Sequence, residues 1–145
     1  EGRYIDKCLI EAFKWYKMSA DQNHPAGQKN VGYCYKHGVG VNQDDNKAFK
    51  WYEKSAEQGN AFAEAQMGSY YDDGIVIDRN INEAAKWYLK SAEHNDRVGQ
   101  YNIASCYEHG NGVVKDTDEA MKWYIKSAEE GDEDAIKKVR ELTNK

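Results

Sequence analysis

The sequence predicts an all-α fold, a stack of antiparallel helix pairs with a 36-residue period. Trp15, Trp51, Trp87 and Trp123 stand 36 residues apart each time, inside the phrases KWYKMSA, KWYEKSA, KWYLKSA and KWYIKSA. Self-similarity at a period of about 20 to 50 residues marks units that cannot bury an apolar face alone and must stack on their neighbours. Within each unit the apolar positions recur at helical spacing. A single proline among 145 residues, 31% of them charged, agrees with helix.

In chain order, the first element is a helix around Trp15, of a kind we call B. Its later copies read DNKAFKWYEKSAEQGN, INEAAKWYLKSAEHND and DEAMKWYIKSAEEGD. In the first of these, Ala48, Trp51, Tyr52, Ser55 and Ala56 fall at i, i+3, i+4, i+7 and i+8, one apolar stripe. Lys50, Glu53, Lys54 and Glu57 fall largely on the other side, as a solvated face. The repeated Trp-Tyr pair therefore reads as core and not as an aromatic ligand cage. Gly59 and Gly131 suit a left-handed C-cap, and Asn95 takes that role in the third copy.

Between the B helices lie segments reading GQKNVGYCYKHG, AEAQMGSYYDDG and GQYNIASCYEHG, which we call A. Val31, Met67 and Ile103 precede Gly32, Gly68 and Ala104, and Tyr35, Tyr71 and Tyr107 follow three residues after the small position. A small residue lets two helices cross closely, and its large neighbours fill the space around the contact. The A segments end at Gly38, Gly74 and Gly110, and the loops VGVNQ, IVID and NGVVK lead back to B. Val76 stands where Gly40 and Gly112 stand. A β-branched residue resists positive φ, so the loop after Gly74 is expected to take a different path.

Together, the small position, the tyrosine, the Gly-x-Gly-Val loop, the Trp-Tyr pair and the Ser-Ala followed by Gly resemble the Sel1-like repeat, a relative of the tetratricopeptide repeat. The resemblance covers nearly the whole chain and implies an α/α solenoid wound as a right-handed superhelix, A helices inside and B helices outside. It divides residues 1–145 into one array: a partial unit, 1–23, with helix B only; full units at 24–59, 60–95 and 96–131; and a capping helix at 132–145. In DAIKKVREL, Arg140 occupies the glycine position and Thr143 the tyrosine position, so the last helix is expected to close the array. Gly2 aligns with Gly38, and Glu1 stands in place of an initiator Met, so further repeats are expected before it.

Charge and cysteine usage narrow the function. A net charge of −5 with alternating Lys and Glu offers no basic footprint for nucleic acid or anionic membranes. No run approaches the roughly 18 apolar residues of a membrane span. Cys8, Cys34 and Cys106 form no C-x-x-C pair, so they read as packing residues of a reducing, cytoplasmic setting. His24, His37, His94 and His109 are dispersed, and His37 and His109 are equivalent positions two units apart, too far to share a metal. The acidic clusters lack the spacing of a helix-loop-helix calcium site and suit helix starts instead. No constellation of nucleophile and base or of paired carboxylates is visible, so no enzyme, cofactor or metal is expected.

What remains is the inner face of the A helices. Relative to the small position, the residues three and two before it and one, four and five after it should face the groove. They are Lys29, Asn30, Tyr33, Lys36 and His37; Ala65, Gln66, Ser69, Asp72 and Asp73; and Tyr101, Asn102, Ser105, Glu108 and His109. Asn30, Gln66 and Asn102 form an amide ladder able to bond an extended backbone, with Tyr33 and Tyr101 as anchors. Lys29, Lys36 and His37 at one end and Asp72, Asp73 and Glu108 further along make a charge gradient, which suits a partner acidic at one end and basic toward its centre.

The expected function is a non-enzymatic scaffold or adaptor that holds a protein or peptide segment in this groove. Two alternatives are a self-associating module forming a homo-oligomer and the repeat region of a larger signalling protein such as a kinase. The resemblance also raises β-lactam binding or hydrolysis, linked to cysteine-rich bacterial relatives. Those relatives pair cysteines within each repeat, and this chain has no such pairs.

Overall fold

Eight helices account for most of the chain in the computed structural model, which describes residues 2–144, with side chains from Asp6 onward. They are α1 (Gly2–Asp21), α2 (Pro25–His37), α3 (Asp45–Glu57), α4 (Ala61–Asp73), α5 (Ile81–Glu93), α6 (Arg97–His109), α7 (Thr117–Glu129) and α8 (Glu133–Thr143). There is no strand among the described residues. The odd-numbered helices are of type B and the even-numbered ones of type A. Each helix packs on its chain neighbours, which is the α/α solenoid expected. Subtracting one period from the start of α3 places the corresponding B helix at 45 − 36 = 9, yet α1 begins at Gly2, so it extends beyond its siblings at its N-terminal end.

Helix ends follow the sequence closely. Asp44, Asn60, Asp96 and Asp132 accept the N–H three residues on, and Asn80 and Asp116 accept those two and three residues on. These caps account for much of the acidic clustering. The B helices are followed by left-handed residues, Gly59 (φ 79°) and Gly131 (φ 84°), with Asn95 (φ 63°) and also Asn23 (φ 64°) in that role. Gly40 and Gly112 adopt φ of 69° and 71°, and a Cβ on either would collide with the backbone of Leu9 within α1 or of Ile81 at the start of α5. Val76 is not among the positive-φ residues. Its loop takes the expected different path, and all three loops still close alike, with Asp44, Asn80 and Asp116 donating N–H to the carbonyls of Tyr35, Tyr71 and Tyr107 at 2.8–2.9 Å.

Two contacts recur through the core. Inside each unit the tyrosine of helix B lies across the small position of helix A. A Cβ on Gly32 would sit 2.8 Å from Tyr52 Cδ1, and one on Gly68 2.5 Å from Tyr88 Cδ1. Between units, the Ser-Ala of helix B meets the start of the next A helix: a Cβ on Gly27 would lie 2.5 Å from Ser19 Oγ, and Gly99 is equally tight against Ser91. Ala63 and Ala135 take the same place in the other units and are fully buried. The serine also ties its own unit together. Ser55, Ser91 and Ser127 are wholly buried and donate Oγ–H to the carbonyls of Pro25, Ala61 and Arg97 at 2.7–2.8 Å.

The aromatic pair divides its labour differently from the sequence reading. Tyr52 and Tyr124 are 0% exposed and Tyr88 6%, whereas Trp15 is 62% exposed, Trp51 and Trp87 are half-buried and Trp123 is 9% exposed. Trp15, Trp51 and Trp87 are thus flank residues more than core, while Trp123 joins the core of the last unit. Each indole from Trp51 onward carries a lysine three residues on, with Lys54, Lys90 and Lys126 Nζ 4.7, 4.5 and 4.4 Å from the ring centroids. An i+3 lysine shields one ring face while its ammonium stays in water.

Neighbouring A helices touch directly, α4 against α6, while no pair of successive B helices shows comparable contact. At the far end α8 is held to α6 by Lys138, whose Nζ lies 3.0 Å from Glu108 Oε2, with Tyr124 donating to the same oxygen at 2.7 Å. Burial pushes the Glu108 carboxyl up, but the two hydrogen bonds and the charges of Lys138 and His109 outweigh it and hold it below its ordinary value.

Tyr52→Ala should cost about 3–5 kcal/mol by opening a cavity, while Trp15→Ala should change stability by about 0.5 kcal/mol or less. Urea unfolding of both variants checks this, and the opposite ranking would refute the division of roles. For Glu108 the folded-state value is depressed, so its contribution is present above the ordinary value of 4.5 and is lost as pH falls below that. Glu108→Gln should flatten this acid limb of unfolding midpoint against pH, and an unchanged limb would count against the clamp.

Candidate functional site

The A-helix face is built from positions that the small-residue contact leaves uncommitted, and what each side chain does depends on the next unit. On α2, Lys29 Nζ lies 5.6 Å over the ring of Phe62 on α4. Asn30 is half-buried, and Tyr33, 45% exposed, packs its ring 4.4 Å from His37. Lys36 crosses to α4, donating to Gln66 Oε1 at 2.5 Å with its Nζ 5.3 Å over Tyr70. Burial lowers its pKa against the opposing charges of Asp45 and Asp73.

On α4, Ser69 donates to the Ala65 carbonyl at 3.3 Å and lies 3.5 Å from the Tyr88 hydroxyl. Asp72 pairs with Arg79 Nη2 at 3.2 Å, and Asp73 is exposed. Ala65 departs from expectation. It is 1% exposed, because a single methyl does not reach the surface that lysine and tyrosine reach from the same position.

On α6, Tyr101 packs edge-on to Tyr124 with centroids 5.4 Å apart, and His109 Nδ1 meets the Ser105 carbonyl at 2.9 Å. Asn102 and Ser105 line a small cavity of about 70 Å³ with Asp72, Tyr88, Cys106 and Asn111. Glu108 is committed to the α8 clamp. Burial pushes the Tyr88 hydroxyl up to about 12 and the Cys106 thiol up to about 11, so both are neutral across the physiological range.

These residues are brought together in pairs 30 apart, across adjacent A helices, and not as one continuous ladder. Lys36 with Gln66 and Glu108 with Lys138 are closed pairs, so the amide ladder is interrupted at Gln66 and the charge gradient is partly neutralised from within. A second cavity, about 370 Å³ and largely apolar, lies at the N-terminal end between Leu9 and Tyr16 of α1, Asn30 and Tyr33 of α2, Val39 and Phe62. Its α1 wall was not visible in the A-helix pattern. The apolar Leu9 and Tyr16, outside the Trp15 position of the first B helix, were the signal available in the sequence.

The 30-residue offset also reveals part-buried polar pairs that close a single unit. Gln58 Nε2 donates to Gln28 Oε1 at 2.7 Å, and in the next unit His94 Nδ1 lies 2.7 Å from Glu64 Oε2, whose side chain is 2% exposed. Each joins the end of a B helix to the start of its own A helix. No group of three or more His, Cys, Asp or Glu among the described residues could hold a metal ion, and Cys8, Cys34 and Cys106 are all free. Among the described residues, no helix is long and apolar enough to cross a membrane.

The chain is similar to several solved structures. A Sel1 repeat protein from Oxalobacter formigenes is 42% identical, with 90% of this chain and 54% of that one covered and a TM-score of 0.83. The protective antigen c5321, present in uropathogenic Escherichia coli strains and described as having an SLR fold, is 37% identical, with 90% and 28% covered and a TM-score of 0.82. Helicobacter pylori cysteine rich protein B is 25% identical, with 91% and 95% covered and a TM-score of 0.70. The chain thus spans about half the length of the first of these and less of the second. No curated protein matches. The Sel1 repeat model matches residues 2–24, 25–60, 61–96 and 98–132. With four in-phase matches across almost its whole length, and glycines, serines and tyrosines that each perform the same packing task in successive units, the chain belongs to the Sel1 repeat family.

Proposed function

We propose that this array is a non-catalytic scaffold that binds an extended segment of another protein along the face formed by its A helices. Sel1 repeat proteins are generally protein-interaction scaffolds, which supplies the class. The observation that carries the site is the apolar cavity of about 370 Å³ at the N-terminal end, walled by Leu9, Tyr16, Val39 and Phe62 and rimmed by Asn30 and Tyr33. A concave apolar seat with a few polar groups at its rim suits an anchoring side chain, and the Asn30 amide fixes the adjoining backbone. Tyr33 adds half-exposed aromatic area, the residue type enriched at binding hot spots.

A second reading is self-association through α1, on which Ile10, Trp15 and Met18 are 45%, 62% and 53% exposed. A patch of that kind is an interaction surface for some helix. Sedimentation of the native chain and of Trp15→Glu/Met18→Glu separates the readings: a mass that rises with concentration and collapses in the variant assigns α1 to oligomerisation.

For the scaffold reading, the native chain, an Asn30→Ala/Tyr33→Ala variant and an outer-face Lys50→Ala/Glu53→Ala variant are compared as bait in source-cell lysate, each checked for native helicity. A protein kept by the native and outer-face baits and reduced about tenfold or more by the groove variant, the loss expected for about 1.4 kcal/mol or more, supports the reading. Equal capture by all three places binding elsewhere.

A further inference from the structure

Three equivalent sites lie between successive A helices, formed by residues 36 and 66, 72 and 102, and 108 and 138. In the first, Lys36 supplies an ammonium that bonds Gln66 and sits over Tyr70. In the third, Lys138 supplies it from the opposite side, bonding both oxygens of Glu108 at 3.0 and 3.1 Å, 5.9 Å from the Tyr124 ring centroid. The middle site keeps the acidic residue and the tyrosine, Asp72 and Tyr88, but has Asn102 where Lys138 stands. It contains the cavity of about 70 Å³, whose polar lining is Asp72, Tyr88, Asn102, Ser105 and Asn111 and whose remaining wall is Ile81, Ala84 and Cys106. That volume exceeds the roughly 10–15 Å³ one water needs.

We propose that the middle site receives a lysine side chain from the bound segment, so that the partner completes the arrangement Lys138 makes in the next unit. The proposal rests on the scaffold reading and adds a side-chain specificity to it. Asp72 provides the counter-charge. Arg79 Nη2 engages only its Oδ1 at 3.2 Å, from a side chain that is 65% exposed, which leaves Oδ2 for the incoming ammonium. The two remaining N–H groups find acceptors among the Asn102 and Asn111 amide oxygens and the Ser105 hydroxyl, and the Tyr88 ring takes the place of Tyr124 beneath the cation. Because Asp72 is one methylene shorter than Glu108, it leaves room at the site instead of closing on its own tyrosine. Tyr124 reaches Glu108 at 2.7 Å, whereas Tyr88 turns to Ser69 at 3.5 Å. The segment is thus a lysine-bearing one, with that lysine about one unit along from whatever occupies the apolar seat.

The test uses Nα-acetyl-lysine amide as the probe, with its Nε-acetylated form as the uncharged control, and reads amide shifts by two-dimensional NMR. Saturable millimolar shifts at Asp72, Asn102, Ser105 and Asn111 are expected with the first and not with the second. They should be lost in the near-isosteric Asp72→Asn variant. Asn102→Lys should abolish them as well and raise Tm, by rebuilding the Glu108–Lys138 pair internally. No saturable shift at these amides, or equal shifts in Asp72→Asn, overturns the proposal. The probe reads this cavity alone, so its failure leaves the scaffold reading standing, while lysate capture that fails beside a positive probe overturns the scaffold reading and not the site.

Discussion

Close approach of helix backbones at positions with no room for a side chain is the constraint on which the rest of the structure depends. Tyr52 and Tyr88 lie flat against Gly32 and Gly68, and Ser19 and Ser91 meet Gly27 and Gly99. Once two helices are this near, their remaining side chains must fan outward, and the 36-residue period follows from repeating the same pair of crossings. The buried serine adds direction to the contact. Its hydroxyl reaches the first carbonyl of its own A helix while its other flank receives the next one, so one residue links two interfaces. An isolated unit would leave one of these faces open, which explains why such units occur as arrays.

The array alternates as well as repeats. Gly27, Cys34, Gly40 and His37 recur as Gly99, Cys106, Gly112 and His109, while the unit between them has Ala63, Tyr70, Val76 and Asp73. The exchange is one of volume. Tyr70 meets Phe49 edge-on at 5.4 Å, whereas Cys106 shares its cluster with Ala85, so a large pair in one interface is replaced by a small pair in the next. The loop changes with it, since Gly112 comes down onto Ile81 and Ala85 where Val76 does not take positive φ. Positions 36, 72 and 108 do not share this rhythm, being Lys, Asp and Glu, and they face Gln66, Asn102 and Lys138, so only the Asp72–Asn102 pair lacks a lysine.

Much of the fold was legible because its signals are local. Caps, helix ends and the small-residue crossings each need only a few neighbouring residues, and Asp44, Asn95 and Gly110 act where their residue types prefer to act. The candidate site was legible only in part. Of the positions expected to face away from the crossings, Ala65 is buried, and which of the others are engaged was not legible. Lys36, Gln66 and Glu108 are engaged by partners 30 residues away or by a tyrosine 16 away, and nothing within one unit announces that.

The sequence by itself determined the repeat, the helix pairs and their ends, because period and helical spacing are properties of the chain read along its length. Tertiary structure decided which aromatic is core and which side chains are free. Tyr52, Tyr88 and Tyr124 are all buried, whereas of their neighbouring tryptophans only Trp123 is, and adjacent positions on one stripe differ in burial by the angle at which the next helix crosses. Charge pairing between A helices likewise depends on a distance that only the stacking sets, and that distance closes two of the three sites and leaves the one at Asp72 and Asn102 open.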